Sequence, residues 1–430
     1  MIDLAPRLIT LLDAAAAGRW PQAHAQLEAL SDDLPGDALY GLEDLLRQRR
    51  ACHALGNGLF VLAASADDPL CAAALVAHGY VAAATGHAPL ALVEMLPAAA
   101  PTHVRVSGAG LAFIALGGAT TDAPAALVHE FAHCVAISGL GFLDEGFATL
   151  LERRFQSIES PGQWWERPSL GALLEMDWSH DPHFTALDAP DPDAPYLLAA
   201  WFVGQLIDLG GMGAVVTLLH RLRRRHAETR LAPLFRAGCG ADVDALDAEL
   251  RPAPTGAAID AVRLLADGDR AGAVAALPQL RAAAVHGVAG GGAALARAAI
   301  TIGIQDFDAT GLLARAEAHW AIKAMDDAGV HPVLTAYRAI LQSFDAPGPI
   351  EKRTAGVRAV DQFAALVRSG GADGETLIAA AKAQTYAPEA FLQVPDWRQR
   401  LAALGDDQRL GRIAARLLHH PRFQEERIAC

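Results

Sequence analysis

The amino-acid sequence predicts an α+β fold that is mostly α, with a small mixed sheet, an N-terminal helical cap and a C-terminal α-helical domain. Three observations carry this prediction. Hydrophobic residues make up 52% of the chain and charged residues 20%, a balance that buries a large core and argues against disorder. Aromatic residues are only 6% while alanine is abundant, which favours helices packed closely through small side chains. Apolar residues recur at helical spacing along most of the chain, and short, partly β-branched runs interrupt that pattern only in its first third.

Taken in order, residues 3–17 and 21–31 read as two helices joined at Gly18-Arg19-Trp20-Pro21, with Leu8, Leu11, Leu12 and Ala15 on one face. A third helix is expected over residues 37–55. Residues 59–64 read as a short buried strand, and 69–84 and 89–96 as helices. The segments 104–107 and 111–116, set around Gly108 and Gly110, read as strands. Residues 117–122 form a turn in which Thr121 or Asp122 caps the next helix, with Pro124 in its first turn. That helix covers 123–137 and stops near Ser138-Gly139. Another follows over 143–155. Residues 161–195 are rich in loop signals, Asp-Pro steps among them, with one helical piece at 169–176. Helices are expected over 196–209 and 213–226, separated by Gly210-Gly211, and short ones within 231–250. Residues 251–256 (Arg-Pro-Ala-Pro-Thr-Gly) read as a linker. Beyond them the chain is helical, with breaks at 287–292, 329–332, 346–349 and 370–371.

A chain of 430 residues suits two to three domains, here an N-terminal helical segment at 1–57, a middle domain at 58–250 and a C-terminal α-helical domain at 257–430. The net charge of −14 argues against nucleic acid as a partner. The one basic cluster, Arg221, Arg223, Arg224, Arg225 and His226, reads as the solvated C-terminal end of a helix, where cations suit the dipole. Cys52, Cys71, Cys134, Cys239 and Cys430 are widely spaced and form no C-x-x-C pattern, so they read as reduced thiols. The first residues lack a basic stretch followed by an apolar one, and runs such as 70–81 are broken by His78 and Gly79. Neither a secretory signal nor a membrane span is expected. The expectation is a cytoplasmic protein without a membrane partner.

Chemistry concentrates in Leu127-Val128-His129-Glu130-Phe131-Ala132-His133, which matches the H-E-x-x-H pattern of zinc hydrolases. On a helix, His129 and His133 leave the same face one turn apart, so two imidazole nitrogens can reach one zinc ion. Glu130, beside the first ligand, can face a water in an open metal position. The stretch Gly141-Phe142-Leu143-Asp144-Glu145-Gly146-Phe147-Ala148 follows, with Glu152 further along.

This layout resembles the gluzincin zinc metallopeptidases, including aminopeptidase-N-like enzymes and smaller bacterial peptidase-MA-like relatives. The resemblance covers about residues 100–230. It implies a thermolysin-like catalytic domain over residues 58–250, one zinc ion per chain, and Glu145 as the third zinc ligand beside His129 and His133. The interval between His133 and Glu145 is long enough for a turn and an antiparallel helix that faces Glu145 back toward the metal. Its other reading is a solvated acid at a helix start. Glu152 shares a face with Glu145 and could accept a hydrogen bond from a ligand histidine; a surface ion pair is its other reading. The helix beginning at Pro195-Tyr196 and ending at Gly210-Gly211 resembles the gluzincin helix whose tyrosine stabilises the oxyanion, which assigns that role to Tyr196. An ordinary buried tyrosine is the alternative there. Residues 108–113 lack the acid that aminopeptidase-N-like members use to hold a free substrate amine, and Phe142 stands where they carry tryptophan.

The expected activity is hydrolysis of a peptide bond in a peptide or protein substrate, with Glu130 as general base and Tyr196 as oxyanion stabiliser. The strand at 111–116 is expected to run beside an extended peptide. Two other readings stay open: a zinc hydrolase acting on a non-peptide amide, and a scaffold protein that works through a partner on the C-terminal helical domain. Asp177, His180, Asp181 and His183 read as a loop bordering the cleft, His419-His420 as surface, and Cys134 as core. The glycine-rich stretch 287–292 lacks the Lys-Ser/Thr ending of a phosphate loop, and no Gly-x-Ser-x-Gly elbow occurs.

Overall fold

The computed structural model describes residues 4–96, 103–106, 110–117, 122–158, 167–175, 193–224, 231–258, 270–305, 317–318 and 320–321, with shorter pieces between 348 and 361 and between 396 and 419. It is mostly helical, with one small mixed sheet. The chain divides into two compact units: one contains residues 1–162 and 190–242, the other 163–189 and 243–430.

The first unit begins with helices α1 (Ala5–Ala16), α2 (Trp20–Glu28) and α3 (Gly36–Gln48). Strands β1 (Cys52–Gly56) and β2 (Leu59–Leu62), helix α4 (Pro69–Thr85) and strands β3 (Leu90–Met95), β4 (His103–Val106) and β5 (Leu111–Leu116) follow. The sheet order is β1-β2-β3-β5-β4. β1 and β2 form an antiparallel hairpin through Asn57-Gly58, both left-handed, as a two-residue turn with the right twist requires. β2, β3 and β5 run parallel, α4 crossing from β2 to β3, and β4 closes the edge antiparallel to β5.

Both faces of this sheet are covered. Phe60, Leu62, Leu90, Leu92 and Leu111 join Leu8, Leu11, Leu12, Leu42 and Leu46 in one core, so α1–α3 lie on one face. Alternate residues Val61, Val93 and Ile114 are buried on the other face, where α4 packs on β2 and helix α5 (Ala123–Val135) packs on β4 and β5. Burial on both faces is why the central strands read as unbroken apolar runs rather than alternating ones.

Three expectations are corrected here. The helix expected over 37–55 stops at Gln48, because Arg49 turns left-handed (φ 49°) and the chain enters β1. Residues 89–96 form β3, not a helix: Leu90, Ala91, Leu92 and Val93 are all buried between two neighbouring strands, and a short apolar run carries no period that distinguishes the two. β5, expected to pair with an extended peptide, is already bonded on both sides, to β3 and to β4.

The unit continues with α6 (Gly141–Gln156) and, after residue 190, with α8 (Ala194–Gly210), α9 (Met212–Arg223) and α10 (Leu231–Cys239); α7 (Leu170–Glu175) between them belongs to the second unit. Phe202 of α8 meets Phe142 of α6 and Phe235 of α10, with ring centroids 6.1 and 5.8 Å away. Among the described residues no single helix is long and apolar enough to cross a membrane; α8 and α9 reach the required length only together and are bent by 117°.

The second unit pairs α7 with α11 (Val243–Glu249), followed by α12 (Arg270–Val285), α13 (Gly291–Gln305), α14 (Trp397–Ala402) and α15 (Gly411–His419). Asp247 ties it together. Its carboxylate accepts from Leu170 N at 2.8 Å and from Arg251 Nε at 3.0 Å, and pairs with the buried Arg167. Arg251, expected to open a linker, is itself buried and donates to the carbonyls of Arg167 and Pro168, whereas Pro252 and Ala253 are exposed. Arg281 and Glu317 form a second buried, bidentate pair. The stretch 287–292 covers most of the turn between α12 and α13, with Gly287 and Gly290 left-handed, and enters α13 at Gly291. The breaks expected at 329–332 and 370–371 lie outside the described residues.

Candidate metal centre

Asp122 caps α5: its Oδ1 accepts from Ala125 N at 3.1 Å, with Pro124 in the first turn. The helix buries Ala125, Val128, Phe131, Ala132 and Val135. Phe131 rests edge-on against His78 of α4 at 5.3 Å between ring centroids. Burial lowers the pKa of His78, and the neutral ring donates from Nε2 to Pro89 O at 2.9 Å. With that face fixed in the core, His129, Glu130 and His133 are left half-buried on the other side.

Helix α6 returns antiparallel to α5. The two are joined at both ends, by Asp144 to Ser138 at the turn (2.7 Å) and by Gln156 Nε2 to Asp122 Oδ2 at the far end (3.2 Å). This arrangement brings Glu145 over both histidines. Its Oε2 lies 3.4 Å from His129 Nε2 and its Oε1 3.7 Å from His133 Nε2. His129 and His133 stack edge to face at 4.9 Å. The three donor atoms all lie within 4.8 Å of one another. Two ligand atoms on a tetrahedral zinc at about 2.0–2.1 Å are roughly 3.3 Å apart, so the set fits zinc in donor type and in spacing. Among the described residues the set supplies three protein donors, one fewer than a tetrahedral zinc takes.

Glu152 completes the set. Its Oε2 is 3.0 Å from His129 Nδ1, so that nitrogen donates to the carboxylate and Nε2 is the one turned to Glu145. Burial opposes a charge on His129, but Glu145, Glu152 and Glu130 outweigh it and hold its pKa up at about 10. His133 goes the other way: burial, reinforced by the charge on His129, pushes it down to about 4 against the pull of Glu145. One histidine is thus charged and the other neutral when no metal is bound. Asp144 is raised to about 6 by burial, against the hydrogen bonds it accepts from Ser138 and Gly139.

Tyr196 sits half-buried in the first turn of α8. Ala199, one turn on, is pressed against α6: a Cβ on Gly146 would lie 2.5 Å from Ala199 O. The helix bearing Tyr196 therefore crosses α6 next to the residue that carries the third donor. Cys134, as expected, is no part of the cluster; its Sγ donates to Glu130 O at 3.1 Å and burial pushes its thiol up. His419 is exposed, and Asp177, His180, Asp181 and His183 lie outside the described residues.

Three contributors escaped the reading of the sequence: Asp144, Gln156 and the close approach at Gly146. Asp144 carries a legible signal, an acid placed just after a Ser-Gly turn whose N–H groups need acceptors. The other two have none, because their partners Asp122 and Ala199 are distant in sequence.

Compared with models of known protein families, with curated proteins and with solved structures, the chain matches none.

Proposed function

We propose that this protein is a zinc-dependent peptidase of the gluzincin type, with a thermolysin-like arrangement of its sheet and of α5, α6 and α8. The observation that carries this reading is the meeting of an H-E-x-x-H helix with a carboxylate from the next helix, 3.4 and 3.7 Å from the two histidines. His129, His133 and Glu145 hold one zinc ion per chain. When bound, zinc supplies a Lewis acid that polarises the scissile carbonyl and lowers the pKa of water toward about 7.

The chain's own residues do the rest. Glu152 keeps the proton of His129 on Nδ1 and so presents Nε2 as the donor. Glu130 takes a proton from the attacking water onto its carboxylate and returns it to the leaving amine nitrogen. Tyr196 donates its hydroxyl to the carbonyl oxygen as negative charge builds there. With β5 bonded on both sides, an extended peptide pairs with the outer edge of β4, which among the described residues has β5 on one side only. The same reading places the protein in the cytoplasm, supported by Cys52, Cys71, Cys134 and Cys239 standing as free thiols.

The experiment is metal analysis of the purified protein together with Glu130→Gln against a panel of blocked and free-amine peptides. Stoichiometric zinc, cleavage by the wild type and loss of cleavage in Glu130→Gln support the peptidase. A protein that carries no zinc after metal loading sinks it. Zinc without any peptide cleavage directs the search to non-peptide amides or to a binding role.

A further inference from the structure

We propose that Asp144 is the positioning residue of the third ligand, fastening the α5–α6 turn so that Glu145 stands at a fixed distance from His129 and His133. The inference rests on the metal-centre reading above and goes beyond it, to a residue outside the donor set.

The turn between the two helices is short and largely buried, with Ser138 at 0% and Leu140 at 3% exposure. A buried turn must find acceptors for its N–H groups. Asp144 supplies them: Oδ1 accepts from Ser138 N and Ser138 Oγ, each at 2.7 Å, and Oδ2 accepts from Gly139 N at 3.1 Å. Ser138 Oγ in turn accepts from Leu140 N at 2.9 Å. Leu140 O closes the ring by accepting from Leu143 N at 2.9 Å and Asp144 N at 3.0 Å. The side chain of Asp144 thus holds the end of the turn, and the backbone of the turn holds Asp144.

Asp144 and Glu145 are successive residues of one helix, so their side chains diverge by about 100°. One points into the turn while the other points at the histidines. A shift of the first turn of α6 moves both together. Further along, His129 Nδ1 donates to Glu152 at 3.0 Å and Gln156 donates to Asp122 at 3.2 Å; the hold at the end of α6 that carries Glu145 is the Asp144 ring. Metal ligands must sit within about 0.2 Å of their preferred distance, so slack in this turn is felt first as lost metal affinity. The partners of Asp144 are all donors, which suits an acceptor-only carboxylate. Asparagine would aim an amide N–H at one of them.

The test uses the full chain as Asp144→Ala, Asp144→Asn and Ser138→Ala, with Thr217→Ala on the exposed face of α9 as control. Zinc affinity is read by competition with a chromophoric chelator, the donor geometry by the visible absorption of the Co2+-substituted protein, and the fold by circular dichroism of the metal-free protein. The expected result is zinc affinity at least about tenfold weaker in Asp144→Ala, of the order seen when partners of ligands are removed. Asp144→Asn and Ser138→Ala should lose less, with the cobalt band altered in all three and Thr217→Ala unchanged. Wild-type affinity and an unaltered cobalt band in a folded Asp144→Ala overturn the proposal. If that variant does not fold, the same result in Ser138→Ala overturns it. A wild type that binds no zinc overturns both this inference and the metal centre, whereas a wild type that binds zinc alongside indifferent variants overturns this inference alone.

Discussion

Oε2 of Glu152 lies 3.0 Å from His129 Nδ1, while the other nitrogen of the same ring faces Glu145 at 3.4 Å. One imidazole is thus held between two carboxylates of one helix, one for each nitrogen. The pair leads to the first prediction. Glu152→Gln keeps the size of the side chain but replaces the carboxylate that His129 uses, and it should weaken zinc binding about 10- to 100-fold. Competition with a chelator measures this directly; unchanged affinity would return Glu152 to an ordinary ion pair.

Titration supplies the second. In the metal-free protein His129 is raised to about 10 and His133 is lowered to about 4. Zinc needs both nitrogens free of protons, so binding at neutral pH must displace the proton of His129. Apparent zinc affinity should rise by about one log unit per pH unit across neutral pH, measurable by calorimetry in buffers of different ionisation enthalpy. For the metal-free fold the signs are opposed. The raised His129 contributes stability that is complete below its unfolded value of about 6.5 and is lost as pH climbs toward 10. The lowered His133 costs stability as pH falls from about 6.5 toward 4, where the unfolded chain binds a proton that the fold refuses. Metal-free stability followed by chemical denaturation should therefore decline in both directions, and His129→Asn should flatten the alkaline limb.

Tyr196 gives the third. Tyr196→Phe should lower kcat by about 10²–10³, as removal of one oxyanion donor does, with zinc content and KM close to wild type. An equal loss in binding and rate, or displaced zinc, would show the tyrosine to be structural.

Gly146 gives the fourth. A methyl group there meets the backbone oxygen of Ala199 at 2.5 Å, and a backbone cannot rotate aside. Gly146→Ala should cost about 1–3 kcal/mol of stability, seen as a lower denaturation midpoint. It should also weaken zinc binding, because Glu145 is the adjacent residue.

Much of the site is legible without coordinates because it is local. The four-residue interval between His129 and His133 and the seven-residue step from Glu145 to Glu152 are properties of any helix that contains them. The cap at Asp122 with Pro124 behind it, and the glycine break at Gly210-Gly211, are read from residue type alone. The sheet was harder. Residues 59–62 and 111–116 announce themselves as strands, but 90–95 and 52–56 do not.

The physical division follows range. Covalent geometry and side-chain chemistry are carried by the chain itself, so donor types, their spacing and the mostly helical class follow from residue order. Leu90-Ala91-Leu92-Val93 becomes a strand because β2 and β5 stand on either side to take its hydrogen bonds, and no local period encodes those neighbours. Asp247 binds Leu170 and Arg251 and so ties residues 167–175 to α11, a pairing across a long interval that burial alone selects. The distance from Glu145 to the two histidines belongs to this second kind. It depends on a turn held by Asp144 and a helix crossing that only glycine at position 146 permits.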